Sequence, residues 1–280
     1  MLKSTRLGAV PVDDYDLAPD LAVIDSVEPE PMYDEFTYGA WSSLVLANGS
    51  GSGSDNEFRP HDGGLRPTEL GARLPAVMRL VTDHFDTDRL QWARIFVLSD
   101  GILAPHVDFL EFDEPGTRVQ VPLRTTEESL HSEDGTVYHL RRGEVWSIHT
   151  TSPHSARSLT GPARLSLCLD FGGSGHDVCA PGVVLAQPEQ PVRIFDLPPL
   201  PEAERARLLG LSSVMRADTL RDVFQSFAAA HFVSDLSAAG SYDLFIEAAE
   251  LTGDPELAEK ARAYKTYCIE KRAFGQRFEW

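Results

Sequence analysis

His106 and Asp108 stand two residues apart directly after an apolar run, so in an extended chain both side chains project from the same face. An imidazole and a carboxylate placed in this way can share one cation. A second histidine on a remote strand would complete a set of two His and one carboxylate. That is the donor set of non-haem iron(II) sites, and it leaves adjacent positions open for a bidentate cosubstrate and O2. His154 is the natural third member. Taken alone, His-x-Asp is a weak signal, because such pairs arise by chance and a strand histidine is more often a hydrogen-bonded core residue. Arg164 changes the balance. It lies beyond His154 across Thr160-Gly161-Pro162, where a hairpin would return it beside the His154 strand. There a guanidinium can pair bidentately with the distal carboxylate of 2-oxoglutarate while the keto-acid end chelates iron. Ser166, on the same face as Arg164, can add a hydroxyl contact. Standing alone, Arg164 would read as a surface or structural ion pair.

Other candidates surround this set. Arg94 and Arg118 fall in stretches otherwise rich in Val, Ile and Leu, and buried charges require partners. They either face a substrate carboxylate or form internal salt bridges, with Glu111 or Asp113 as the partners in reach along the sequence. Trp146, in GEVW, is a pocket candidate, although a tryptophan in such a strand is more often core. His131 lies in the acidic stretch HSED and can cap the site, although a solvated loop histidine is the default. His139 and His149 are ambiguous.

These residues need a scaffold, and the spacing of apolar residues suggests one. From Leu90 to about Phe171 short alternating runs (WARIFVL, FLEF, TRVQVPL, TVYHL, GEVWSI, RLSLCLDF) are separated by turn residues such as Asp100-Gly101 and Pro115-Gly116. Helices have no room between these turns, so the pattern predicts an α+β protein with a mainly β core: a double-stranded β-helix, jelly-roll or cupin-like. Trp41 to Leu46 reads as an earlier strand, and NGSGSGSDN (48–56) as a flexible surface loop able to act as a lid. Leu70, Leu74, Val77, Met78 and Val81 predict one amphipathic helix over 69–84. Beyond the proline-rich linker Leu197 to Pro201 the pattern turns helical. Pro201 sits at a first helical position, Asp218 caps a helix running to about Phe232, and Asp254-Pro255 opens another ending near Phe274. The expected division is an oxygenase domain with an N-terminal extension over 1–180, then linker and α-helical domain over 181–280. The helical part would cover one face of the barrel or form a homodimer contact.

Composition narrows the function classes. An apolar content of 42% with 24% charged residues is ordinary for a folded globular chain. A net charge of −18 with no stripe of Lys and Arg argues against a nucleic-acid partner. No apolar run approaches the roughly 20 residues that cross a bilayer, and the stretch Met1 to Asp20 is acidic rather than basic then apolar, so the chain reads as cytoplasmic with no membrane partner. Cys168, Cys179 and Cys268 are odd in number and far apart, which fits reduced thiols.

The ordered blocks PHVDFLEFD, TRVQVPL, HSEDGTVYHLRRGEVWSIHTTSPHSA and ARLSLCLDF, with YDEFTYGAW before them and AAAHFVSD after, resemble the bacterial free L-proline hydroxylases. These are the proline 3-hydroxylases and cis-4-hydroxylases, with aspartyl/asparaginyl β-hydroxylases as more distant relatives. The resemblance covers most of the chain. It implies a dioxygenase with Fe(II) held by His106, Asp108 and His154 and 2-oxoglutarate bound by Arg164. Arg118 matches a pocket arginine that meets a carboxylate, while Arg94 and Trp146 fall in shared blocks. Gln120 stands where these relatives usually carry His, and Gln can hydrogen-bond a carboxylate but cannot titrate. The implied reaction consumes O2 and 2-oxoglutarate, releases succinate and CO2, and hydroxylates L-proline or L-pipecolate in amino-acid or peptide-antibiotic (secondary) metabolism. A hydroxylase of another amino acid and a cupin-like metal-binding module independent of 2-oxoglutarate are the alternatives.

Overall fold

Alternate residues of the long strands differ in kind, and that alternation builds the core. Leu165, Leu167, Leu169 and Phe171 project to one side of their strand, Arg164, Ser166 and Asp170 to the other. Val119 and Val121 likewise oppose Arg118 and Gln120, and Ala93 and Ile95 oppose Arg94 and Phe96. The apolar set packs with Leu74, Val77, Leu80 and Val81 of a covering helix, while the polar set lines an internal cavity. Both faces are buried, so a strict inside-apolar rule fails here for a functional reason.

The computed structural model describes residues 2–28, 30, 32–55, 61, 64–108, 116–173, 177–270 and 276–280. Its strands are β1 (Thr5–Ala9), β2 (Thr37–Asn48), β3 (Arg66–Pro67), β4 (Leu90–Leu103), β5 (Gly116–Arg124), β6 (Ser129–Glu133), β7 (Thr136–His139), β8 (Glu144–Ser147), β9 (His154–Ser158), β10 (Arg164–Gly172) and β11 (Arg193–Ile194). Its helices are α1 (Ala18–Asp25), α2 (Glu69–Ala72), α3 (Pro75–His84), α4 (Glu202–Gly210), α5 (Leu220–Ala230), α6 (Ala238–Leu251) and α7 (Pro255–Lys265), the last running into a π-helical turn, Thr266–Glu270. The antiparallel sheet follows the path β1-β8-β5-β10-β4-β9-β6-β7-β11, with β2 on β4 and β3 on β2. Residues of β4, β5 and β10 face residues of β6 and β9 across one cavity, so the sheet is rolled. This is the expected double-stranded β-helix, mainly β, with helices at its C-terminal end.

Several local expectations are corrected. Thr160-Gly161-Pro162 does not form a hairpin: Ser158 lies opposite Gly101 and Arg164 opposite Leu98, so β9 and β10 both run antiparallel to β4 and the chain continues in one direction through 159–163. Asp100-Gly101 is no turn either. β4 passes through it, and the positive φ of Asp100 (43°) and of Gly39 opposite (104°) accommodate a register shift in β2. The helix expected over 69–84 is two, because Leu74, preceding Pro75, is driven out of the helical region (φ −119°, ψ 61°). His131 lies in strand β6 and is buried, not in a solvated loop. The 48–56 tract is organised up to residue 55 by Asn48, whose Nδ2 donates to the carbonyls of Ser52 and Asp55 at 2.9 and 3.0 Å; Asn56 lies outside the described residues. FLEF, Glu111, Asp113, Pro115 and Phe274 also lie outside them.

The C-terminal helices begin close to where the sequence places them. Pro201 is the N-cap rather than the first residue of α4, Thr219 rather than Asp218 precedes α5, and Asp254 Oδ1 caps α7 by accepting from Glu256 N at 2.9 Å. α6 was not expected from the sequence. Phe224, Phe227, Tyr242, Phe245 and Tyr264 form the centre of this helical layer and pack with Phe36, Tyr38 and Ile102 of the barrel. No helix among the described residues is long and apolar enough to cross a membrane.

Gly71 of α2 is pressed against β2. A Cβ there would lie 2.0 Å from the backbone oxygen of Leu46. Gly71→Ala is therefore expected to lose about 1–3 kcal/mol of stability in urea unfolding, although alanine is the better helix former.

Candidate metal centre

His106 and His154 are joined by a pair of backbone hydrogen bonds, each N–H donating to the other's carbonyl at 2.8 Å. Directly paired antiparallel residues carry their side chains on the same face, so the bridge sets the two imidazoles side by side, with ring centroids 4.5 Å apart. Asp108 N donates to Thr150 O at 3.0 Å and brings the carboxylate to the same face. Asp108 Oδ1 lies 3.5 Å from His106 Nε2 and 3.8 Å from His154 Nε2, and one donor atom from each residue falls within 4.8 Å of the others.

The remaining ring nitrogens establish that this set fits a cation. His106 Nδ1 is 2.8 Å from Ala104 O and His154 Nδ1 is 3.0 Å from Ser152 O. A carbonyl only accepts, so each Nδ1 carries the proton and each Nε2 presents its lone pair to the shared space. Burial, and then the neighbouring His106, push the His154 imidazole down to about 4, which keeps it neutral and ligand-competent. Burial alone would raise the Asp108 carboxyl, but His154, His106 and the Arg118 guanidinium outweigh it and hold the group well below the usual carboxylate range. Phe36 stacks on His106 at 4.5 Å and closes one side of the ring.

The cavity over this centre encloses about 840 Å³ of space between atoms, its open mouth included. Tyr33, Phe36, Trp41, Phe96, Leu98 and Leu103 make an apolar wall, and Arg94, Arg118, Gln120, His131, Arg164 and Ser166 a polar one. Trp146 is not on the wall: it is enclosed with Tyr138, Leu140 and Ile148, and its Nε1 donates to Glu144 Oε2 at 2.9 Å. It lies opposite Gln120 and shares its face of the sheet, but on the next strand out, where it joins a separate small core. His139 and His149 also lie off the cavity.

Arg94 and Arg118 do form internal salt bridges, with a partner the sequence reading missed. Asp170, fully buried on β10, accepts from Arg118 Nε at 2.7 Å and from Arg94 Nη2 at 2.6 Å, and Arg118 Nη1 donates to Asp108 Oδ2 at 2.6 Å. Arg94 also lies over Trp92, 3.4 Å from its centroid. The alternation of RLSLCLDF was the available signal, since it puts 164, 166 and 170 on one face. Arg164 is different. It is buried, its Nη2 lies 3.4 Å from Gln120 Oε1, and among the described residues no carboxylate pairs with it. Burial lowers its pKa to about 10, still charged at neutral pH. Beside it Ser166 Oγ and both ring nitrogens of His131 are buried with no hydrogen-bond partner among the described residues. Burial, and then the charge of Arg164, hold His131 well below the usual imidazole range, so it is neutral.

Two family descriptions match the chain: aspartyl/asparaginyl β-hydroxylase over residues 22–172 and the C-terminal part of L-proline 3-hydroxylase over 183–276. An L-proline cis-3-hydroxylase of a Streptomyces species is 33% identical, across 99% of this chain and 98% of its own length. A second Streptomyces L-proline cis-3-hydroxylase is 30% identical over 99% and 98%, and the L-proline cis-4-hydroxylase of Rhizobium meliloti strain 1021 is 30% identical over 96% and 97%. The chain belongs to the proline hydroxylase family. As a member it is a 2-oxoglutarate-dependent dioxygenase that uses Fe(II) and 2-oxoglutarate.

Removal of one member of the triad gives a direct check. His154→Ala is expected to weaken Co(II) binding, followed by isothermal titration, by more than the roughly 100-fold that loss of an outer partner can reach. Trp146→Phe should leave Co(II) affinity unchanged.

Proposed function

We propose that this proline hydroxylase family member hydroxylates a ring carbon of a free cyclic imino acid, L-proline or its six-membered homologue L-pipecolate, with release of succinate and CO2. His106, Asp108 and His154 hold Fe(II) in this reading, and Arg164 with Ser166 binds the distal carboxylate of 2-oxoglutarate. The observation that carries it is the buried guanidinium of Arg164, which pairs with no carboxylate among the described residues. An uncompensated buried charge is costly, and a site that keeps one is built for an anion that arrives from outside. Ser166 Oγ and the His131 ring, both lacking partners among the described residues, are further groups such an anion can satisfy.

Charge and shape support a small amino-acid substrate. Arg94, Arg118 and Arg164 bring three guanidiniums to the cavity wall, which suits an anionic group on the substrate. Arg94, Arg118 and Gln120 line it where a substrate carboxylate can approach, and the aromatic wall of Tyr33, Phe36, Trp41 and Phe96 suits the methylene face of a saturated ring. The names of the relatives, L-proline cis-3- and cis-4-hydroxylases, point to the same substrate class.

Bound Fe(II) would supply activation of O2 coupled to oxidation of the keto acid, which puts one oxygen atom into succinate and the other into a C–H bond of the substrate. The chain's own residues position. The Ala104 and Ser152 carbonyls hold the imidazole protons on Nδ1, Arg118 holds one oxygen of Asp108, and the apolar wall excludes water from the reacting carbon. Tyr242 Oη donates to Pro105 O at 2.6 Å and Val107 N to Cys268 O at 2.8 Å, so α6 and the π-helical turn grip the segment that carries His106 and Asp108.

With iron(II), 2-oxoglutarate and O2, L-proline or L-pipecolate should stimulate succinate release and gain one oxygen in mass. No stimulation by either compound would refute the imino-acid assignment. Arg164→Ala is expected to raise the KM for 2-oxoglutarate about 100-fold, equivalent to about 3 kcal/mol of lost charge-assisted hydrogen bonding. An unchanged KM would remove Arg164 from cosubstrate binding.

A further inference from the structure

We propose that Asp170 is a positioning residue of the metal centre: through Arg118 it fixes the Asp108 carboxylate with one oxygen committed to a guanidinium and the other turned to the two imidazoles. The inference rests on the triad reading above and assigns a task to a residue outside that triad.

Asp170 lies opposite Arg118 on β5 and opposite Trp92 on β4, at the centre of the sheet and without solvent exposure. Its two oxygens are used separately. Oδ1 takes Arg118 Nε at 2.7 Å, and Oδ2 takes Arg94 Nη2 at 2.6 Å, with Arg118 Nη2 at 3.5 Å. The guanidinium of Arg118 is thereby gripped along its inner edge, and its remaining arm reaches Asp108 Oδ2 at 2.6 Å. Asp108 Oδ1 is left as the oxygen nearest the imidazole Nε2 atoms, at 3.5 and 3.8 Å.

The arrangement has a chemical purpose that stability does not supply. Buried ion pairs contribute little net stability because desolvation offsets their attraction, so a chain of four buried or half-buried charges is poor structural cement. It is an effective jig. A carboxylate free to turn can chelate through both oxygens and occupy a position that a bidentate cosubstrate needs. One whose second oxygen is hydrogen-bonded offers a single donor. Arg118 is long and flexible, and its planar fork can hold Asp108 only if its own rotamer is held. Asp170 does the holding, and Arg94, clamped over Trp92, keeps Asp170 in register.

The test is Co(II) titration of the full-length protein without 2-oxoglutarate or O2, paired with steady-state kinetics. Asp170→Asn is expected to weaken Co(II) binding by roughly 10-fold or more and to lower kcat while the KM for 2-oxoglutarate stays within about threefold, the reverse of the split expected for Arg164→Ala. Asp170→Glu, which restores the charge, should recover part of the metal affinity. Wild-type Co(II) affinity in folded Asp170→Asn, with only its melting temperature lowered, would overturn the proposal. Should Asp170→Asn not fold, Arg118→Lys carries the test, since lysine keeps the cation but cannot span two carboxylates: weakened Co(II) binding supports the proposal, and wild-type affinity overturns it. The Co(II) readout needs no substrate, so a wild-type protein that binds Co(II) but hydroxylates no imino acid would fail the substrate assignment alone.

Discussion

Two backbone hydrogen bonds between His106 and His154 are the constraint from which the pocket follows. They are not part of a long ladder; they join two segments at an isolated bridge, and both partners are histidine. Backbone pairing is stiffer than a side-chain contact, so it fixes the positions of the two candidate ligands relative to each other. The barrel around it exists to bring those segments together. β9 leaves the bridge, runs along β4 and continues into β10 without reversing, which carries the chain from the metal side of the cavity to the side that holds Arg164.

The second organising fact is that the strands keep their polar face dry. Most antiparallel sheets solvate that face; here it is turned inward and covered. Each charge must then be answered within the cavity. Asp170 answers Arg94 and Arg118, and Arg118 in turn answers Asp108. Among the described residues Arg164 has no carboxylate partner, and Ser166 Oγ and the His131 ring nitrogens have no hydrogen-bond partner.

The clustering of His106, Asp108 and His154, the place of Arg164 on the cavity wall and the fold class were legible in the sequence because each has a local signature: two donors at strand spacing, a cation among apolar residues, and short alternating runs. It misled wherever the outcome depended on long-range packing. Thr160-Gly161-Pro162 has the composition of a reversing turn, but β4 offers both flanking strands the same direction, so the chain passes straight on. HSED looks like a solvated loop, yet pairing with β7 and β9 makes it a buried strand and brings His131 to the cavity. Trp146 shares the face of Gln120, but packing with Tyr138, Leu140 and Ile148 encloses it in a small core of its own. Asp170 escaped notice because an aspartate beside Phe at a strand end looks unremarkable until its neighbours across the sheet are known to be arginines.

The grip of the C-terminal layer on the His106–Asp108 segment bears on how much of the chain the centre depends on. Tyr242 and Cys268, which hold Pro105 and Val107, are encoded more than a hundred positions after the ligands they steady, and Ser4, near the other end, bonds Glu133 and His149 on the His154 side. A chain cut after β10 would carry His106, Asp108 and His154 but lack the groups that hold Pro105 and Val107, so the geometry of the candidate centre draws on both ends of the sequence.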